Sequence, residues 1–250
     1  MVSVTQRIKQ IKQPRGGYIN PKQFRVCNLN DSKTLYESEN INVGLVGSAV
    51  DYMTRFIAGT SAEDAFKISL RGSFLINEHD NAKKLLDQIK GLDDISITNA
   101  CKLAGYDVCF RASIAAYRPV EEIQPDSQTI ENIRIMIQRG IEFFNQYGPI
   151  SKDGFTFEGG YTKLVQTGDG DFLTEDTLWD FKVSNKEPTN AHTLQLLMYY
   201  IMGTHSIHEE FQNIKRLGIF NPRLNNVYLL DISSIPSEVI EQVSEEVIGY

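Results

Sequence analysis

At 250 residues the chain is long enough to bury a full core without disulfides or metal, and 41% hydrophobic with 23% charged residues excludes the disordered and collagenous classes. No apolar run reaches the roughly 18 residues a membrane span needs, and the basic start has no apolar segment behind it, so a membrane protein or signal peptide is not expected and the cytoplasm is. The net charge of −7 looks wrong for a nucleic-acid-binding protein, but Arg7, Lys9, Lys12, Arg15, Lys22 and Arg25 fall in residues 1–25 with no acidic residue among them, so one end is a basic arm.

That arm, taken as residues 1–40, is either a solubilising leader or a phosphate-binding segment. Within it "RGGYINPKQF" places Gly16 and Gly17, which allow close backbone approach, beside Arg15, Tyr18 and Lys22, which offer phosphate and stacking contacts. A helical region, 41–150, follows. Leu45, Ala49, Met53, Phe56 and Ile57 are spaced as one helical face over 45–58, with Gly59 as a stop. Ser61 and Asp64 resemble a capping box and open a second helix over 61–70. Further helices are expected over 79–90, from 95 to 106 and, with Ile130, Ile133, Ile137, Ile141 and Phe144 on one face, over 127–146. Cys27, Cys101 and Cys109 are odd in number and show no close pairing, which points to structural thiols rather than a disulfide frame or a zinc site.

The texture changes in residues 151–250. Phe155 and Phe157, the run 163–167, residues 172–174 and residues 178–183 are strand-like between glycine and polar turns, and read as a meander of three strands. A helix over 187–203 follows, capped by Thr189 or Asn190, with Leu194, Leu197, Met198 and Ile201 as its stripe. Two strands around "NPRLNN" and a final helix from Pro236 to about 247 complete the order: helix, three strands, helix, two strands, helix.

The stretch "GDGDFLTEDTLWDFKVSNKEP" puts charge where a hairpin should bury apolar groups. Side chains alternate along a strand, so Asp180 and Lys182 share one face while Trp179 turns to the other, into a core. The tight link "LTEDT" folds the preceding strand back and brings Asp171 near Asp180. Two carboxylates that close repel, and burial raises at least one pKa unless a cation neutralises the pair. Hard oxygen ligands suit Mg²⁺, with Mn²⁺ as the alternative, and leave places for water and a phosphate oxygen. Lys182 beside them can orient the attacking water and offset transition-state charge, which is the chemistry of phosphodiester hydrolysis.

These residues resemble the PD-(D/E)xK nuclease superfamily in its RecB-like branch, which has a GxxD turn into the second strand, a DxK on the third and a QxxxY on the following helix. The matching positions are Gly168 with Asp171, Asp180 with Lys182, and Gln195 with Tyr199. The resemblance covers residues 155–220 well and the helical first half only thinly. It implies an α/β fold with a restriction-endonuclease-like core, a mixed central sheet flanked by helices, behind a helical N-terminal region. It also implies that Asp171, Asp180 and the main-chain carbonyl of Phe181 bind the metal, that Lys182 serves the water, and that Gln195 and Tyr199 contact Lys182 or the nucleic-acid backbone. Members often carry a GxxxH helix upstream, and here Gly47 matches while Asp51 replaces the histidine. Asp51 is then either an all-oxygen metal ligand or a solvent-facing helical carboxylate. Three scattered cysteines do not match the four of relatives that hold an iron-sulfur cluster, so no cluster is expected.

Glu158 is a further acidic candidate or a surface residue, His192 lies on the side of the helix leading into the site, and Lys186 extends a phosphate-binding rim or is ordinary surface charge. The expected function is a metal-dependent nuclease, exonuclease or endonuclease, cutting DNA in processing, phage or mobile-element biology, or antiviral defence. The alternative is a non-cleaving DNA- or partner-binding protein on the same fold. No protein partner or homo-oligomer is legible.

Overall fold

Apolar residues interleaved with the N-terminal basic ones decide how the chain begins. Ser3 accepts from the Gln6 N–H and the Gln6 side chain accepts from the Ser3 N–H, a reciprocal cap that starts helix α1 (Val4–Gln10). Val4 and Ile8 are buried, and the Arg7 guanidinium donates to the carbonyls of Glu246 and Val247. Ile19 and Phe24 are also buried ahead of strand β1 (Arg25–Asn28). In this computed structural model, which describes residues 1–250, residues 1–29 join 144–250 in one compact unit, and residues 30–143 form a second. The partition therefore differs from an arm over 1–40, a helical region to 150 and a core from 151, because Val4, Ile8, Ile19 and Phe24 anchor the arm in the core of the first unit.

The second unit is helical. It contains α2 (Val43–Ile57), α3 (Ala62–Ala65), α4 (Lys67–Leu75), α5 (His79–Leu86), α6 (Asp94–Ala104), α7 (Asp107–Arg111) and most of α8 (Ser127–Tyr147), with the boundary between Phe143 and Phe144. Ser61 caps α3 as expected, accepting from the Asp64 N–H. The single helix expected over 61–70 is instead broken at Phe66, which is buried edge-on to Tyr52 with ring centroids 5.4 Å apart. A buried carboxylate ties three of these helices: the Tyr52 and Ser69 hydroxyls each donate to Asp107 at 2.6 Å. Burial holds the Asp107 carboxyl above the usual range against the pull of those donors.

The remainder of the first unit supplies β2 (Lys152–Phe155), β3 (Gly170–Leu173), β4 (Thr177–Phe181), α9 (Asn190–Thr204), β5 (Arg216–Asn221), β6 (Asn226–Asp231) and α10 (Ser237–Gln242), which continues into a wide helical turn over Val243–Ile248. The six strands form one mixed sheet in the order β1-β6-β5-β4-β3-β2. Strands β2, β3 and β4 are the expected antiparallel meander, and α9 is the crossover that returns the chain to lay β5 parallel to β4.

The sheet also differs from expectation: Phe157 lies beyond the end of β2, and two further features depart from it. The run 163–167 is not a strand: the Thr162 hydroxyl accepts from the Leu164 and Val165 N–H groups, and beyond that turn the chain pairs with the N-terminus through Gln166 N–H to Val2 O and Val4 N–H to Thr167 O. Strand β1, with all four residues exposed, adds an edge beside β6 that no alternation announced.

One sheet face, with Leu173, Leu178, Leu217, Ile219, Tyr228 and Leu230, packs on Leu194, Leu197, Met198 and Ile201 of α9. Alternation sends Phe172 and Trp179 to the other face. There Trp179 meets the rings of Phe172 and Tyr147, and its indole N–H donates to Thr174 Oγ1 at 2.9 Å. Trp179 is thus a packing residue, as its position predicts. No helix of the chain is long and apolar enough to cross a membrane.

Candidate active site

The acidic residues of the β3–β4 hairpin sort into two groups. Asp176, in the turn, bonds Arg216 at 2.7 Å and the Thr177 hydroxyl at 2.8 Å, and so fixes the turn to β5. Asp171 and Asp180 lie on the strands. Phe172 pairs with Trp179 and Leu173 with Leu178, so the same register carried one step back sets Asp171 opposite Asp180, on the α9 side of the sheet. Asp171 Oδ2 reaches across to accept from the Phe181 N–H at 2.6 Å. The Phe181 ring turns to the other face against Phe220, with centroids 5.5 Å apart.

Asp180 is 2% exposed. Its Oδ1 accepts from Lys182 Nζ at 2.8 Å, while its Oδ2 is buried without a hydrogen-bond partner. The Lys182 N–H donates to Phe220 O at 2.9 Å, which carries the β4–β5 ladder past the end of β4 and holds the lysine on the Asp180 face. Two carboxylates and one ammonium leave a net negative charge, and a buried carboxylate oxygen with no donor calls for a cation. Nowhere in the chain do three or more His, Cys, Asp or Glu side chains gather into a metal-holding group. A cation at the Asp171–Asp180 pair would therefore complete its shell with backbone, water or substrate oxygens.

Helix α9 presents the remaining residues. Gln195 and Tyr199 stand one turn apart, both buried, with Gln195 Nε2 donating to the Tyr199 hydroxyl at 2.7 Å. Tyr199 also packs on Phe157, centroids 5.1 Å apart. Burial, reinforced by the Asp180 carboxylate and more weakly by Asp171 and Asp169, holds its phenol well above the ordinary tyrosine range. Asp169, the first acid of "GDGD", is thus a third carboxylate whose field reaches this tyrosine, and its place in the glycine turn was its only sequence signal.

At the start of α9 the Thr189 N–H donates to His192 Nδ1 at 3.2 Å, so a neutral ring carries its proton on Nε2. Burial and the Lys182 charge hold His192 below the ordinary histidine range, with Asp180 opposing. His192 is therefore electrically coupled to the Asp180–Lys182 pair.

The glycine turn of the N-terminal segment sits on this same end of α9. Gln13 Nε2 donates to Asn190 O at 3.2 Å and the Thr193 hydroxyl donates to Ile19 O at 2.7 Å. The Asn190 amide, oriented to satisfy both groups, donates to Gly16 O and accepts from Gly17 N–H at 3.2 Å. Gly17 has φ +85°, and a Cβ there would stand 2.8 Å from Asn190 Cγ, so glycine is required both for conformation and for contact. Arg15 is exposed and Tyr18 half-buried on either side of this turn; Lys22 and Lys186 are exposed. Asn190 and Thr193, which dock the segment, carried no signal beyond the possible cap.

Asp51 belongs to the helical unit, where its carboxylate accepts from Arg55 Nε at 3.2 Å. Glu158 accepts from the Thr156 hydroxyl and lies 3.1 Å from His208 Nε2, and the Thr156 bond is the main cause of its lowered pKa. In comparisons with known proteins, no family model, no curated protein and no solved structure matches this chain.

Proposed function

We propose that the chain is a metal-dependent nuclease of the PD-(D/E)xK type, hydrolysing DNA phosphodiester bonds. The observation that carries the reading is the buried Asp180, with one oxygen on Lys182 and the other unpartnered, beside Asp171 on one sheet face. The order of these residues along the chain supports the reading: Asp171 lies on β3, Asp180 on β4 with Lys182 just past its end, and Gln195 and Tyr199 on α9.

Asp171, Asp180 and the Phe181 carbonyl are the groups that would hold a divalent cation. When bound, that cation supplies a water of lowered pKa and neutralises phosphate charge. Lys182, fixed by Asp180, orients the water and offsets negative charge that develops on the phosphoryl oxygens. His192, held below the ordinary histidine range and with Nδ1 accepting from the Thr189 N–H, would offer Nε2–H as a donor rather than a base. The Gln195–Tyr199 bond occupies both side chains within the helix and steadies the α9 face against the acidic pair. The cytoplasm and a role in DNA processing or defence belong to the same proposal.

The test is cleavage of labelled linear and circular DNA, single- and double-stranded, with Mg²⁺, Mn²⁺ or EDTA, by the natural chain, Lys182→Ala and Asp180→Asn. Metal-dependent cutting that falls at least about 100-fold in both variants is expected. No cutting of any substrate, with DNA bound equally by all three proteins, would leave the non-cleaving binding protein as the better account.

A further inference from the structure

A histidine in the first turn of a helix can act as a cap, a base, a metal ligand or a donor, and its tautomer decides among these roles. In α9 the Thr189 N–H donates to His192 Nδ1 at 3.2 Å. In the neutral ring Nδ1 is therefore the acceptor and Nε2 carries the proton. Nothing in the fold accepts from that Nε2–H, and the atom is open to solvent. The one free lone pair of the ring is committed to the backbone, so His192 binds a metal or takes up a proton only by giving up the cap. A neutral N–H donor facing outward is what the local structure makes of it.

The residues around this donor are tied down. Asn190 bonds Gly16 O and Gly17 N–H through its side chain, its own carbonyl accepts from Gln13 Nε2, and the Thr193 hydroxyl donates to Ile19 O. The start of α9 is thus clamped to the N-terminal segment, and the imidazole is held by its neighbours as well as by Thr189.

Its surroundings suit an anion. The His192 and Thr193 N–H groups both bond Thr189 O, so the Asn190 and Ala191 N–H groups ahead of them have no acceptor within the helix, and the positive end of the helix dipole lies there. Burial, then the Lys182 charge, holds the ring below its ordinary pKa, with Asp180 opposing. Glu187, in the loop that leads into α9, acts on Tyr228 instead. Backbone N–H groups, an imidazole N–H and an ammonium together match the oxygens of a phosphate.

We infer that His192 is a substrate contact, its Nε2–H donating to a phosphate oxygen of the nucleic-acid strand that crosses the start of α9 when a phosphodiester occupies the acidic pair. The inference rests on the nuclease reading for the identity of the strand. The tautomer, the exposure of Nε2 and the clamp on α9 stand without it.

The test separates this contact from a purely structural cap, because Gln and Glu at this position both accept from the cap N–H, whereas only Gln also donates. Fluorescence anisotropy of labelled oligothymidylate is measured with the full chain in EDTA at pH 8, for the natural protein, His192→Gln, His192→Glu and His192→Ala, and thermal melting checks the cap in each. Expected are binding within about 3-fold of the natural protein in His192→Gln and a loss of about 10- to 100-fold in His192→Glu and His192→Ala. The salt slope should be the same in His192→Ala as in the natural protein, since a neutral donor releases no counterion, and the loss in His192→Glu should persist in added salt, which screens a mere charge effect. Equal binding by the Gln and Glu variants overturns the inference, because the cap alone would then be at work. So do unchanged binding in His192→Ala, a loss in His192→Glu that salt abolishes, and a failure of the natural protein to bind the strand. Cleavage with Mg²⁺ is read in parallel. No cutting with the expected binding pattern intact means that the nuclease reading fails and the contact stands, and cutting by the natural chain with all variants binding alike means the reverse.

Discussion

Lys182 Nζ stands 2.8 Å from Asp180 Oδ1, and the other oxygen of that carboxylate, also buried, has no partner. Asp180 is 2% exposed and the Lys182 side chain 27%, so the ammonium is the bond that makes a buried negative charge tolerable. Removing it while keeping the length of the side chain, in Lys182→Met, is expected to cost about 2–3 kcal/mol at neutral pH, because an uncompensated buried charge remains. Asp180→Asn in the same background should recover part of the loss. Urea denaturation reads both, and equal stability of Lys182→Met and the natural chain would mean that the pair is not the structural unit described.

A divalent cation is the other way to satisfy the acidic pair. Mg²⁺ or Mn²⁺ is expected to raise the Tm of the natural chain, by the equivalent of about 2.7 kcal/mol when free metal is a hundredfold above Kd. EDTA should reverse the rise. Asp180→Asn should show little of it, since the unpartnered oxygen becomes part of a neutral amide. A metal-induced rise of equal size in both proteins would place the cation elsewhere.

His192 links stability to pH. Its folded pKa lies below the ordinary histidine value, chiefly through burial and then through Lys182, so between the two values the unfolded chain binds the extra proton. Stability is fully present above about pH 6.5 and declines as pH falls below it toward the folded pKa. His192→Gln keeps an acceptor for the Thr189 N–H, as in a capping box, and removes the titration. Denaturation midpoints across the acid range should therefore fall less steeply in that variant, and identical pH profiles would assign the slope to other groups.

The strand positions of Asp171 and Asp180 were legible because period-two alternation is strict and the hairpin link is short, and Lys182, one step past the end of β4, keeps the Asp180 face. The order of meander, crossover helix and two further strands was legible for the same reason. Strand β1 was not, since "RVCN" has four exposed residues and takes its strand conformation only from pairing with Val227–Leu229 and Asn226 of β6. The run 163–167 misled because "KLVQT" has strand composition, yet Thr162 takes the Leu164 and Val165 N–H groups in a turn, and Gln166 and Thr167 pair with Val2 and Val4 of the distant N-terminus, a partner invisible to local pattern. The docking of the glycine turn on Asn190 and Thr193 is a tertiary contact of the same kind. The anchoring of the basic arm could have been read from Val4, Ile8, Ile19 and Phe24, whose spacing among the basic residues is what buries it.

Gly170 separates packing from chemistry in the "GDGD" turn. A Cβ at this position would stand 2.1 Å from the Phe155 ring, so the ring would have to move, and the residue is glycine because β2 presses an aromatic ring onto β3. Gly170→Ala is expected to lose about 1–3 kcal/mol through overpacking. Phe155→Leu in the same chain should return part of that by opening the space, although alone it would destabilise through a cavity. The double-mutant cycle then gives a coupling energy favouring the pair. Additive losses would show instead that the Phe155 ring contact is incidental.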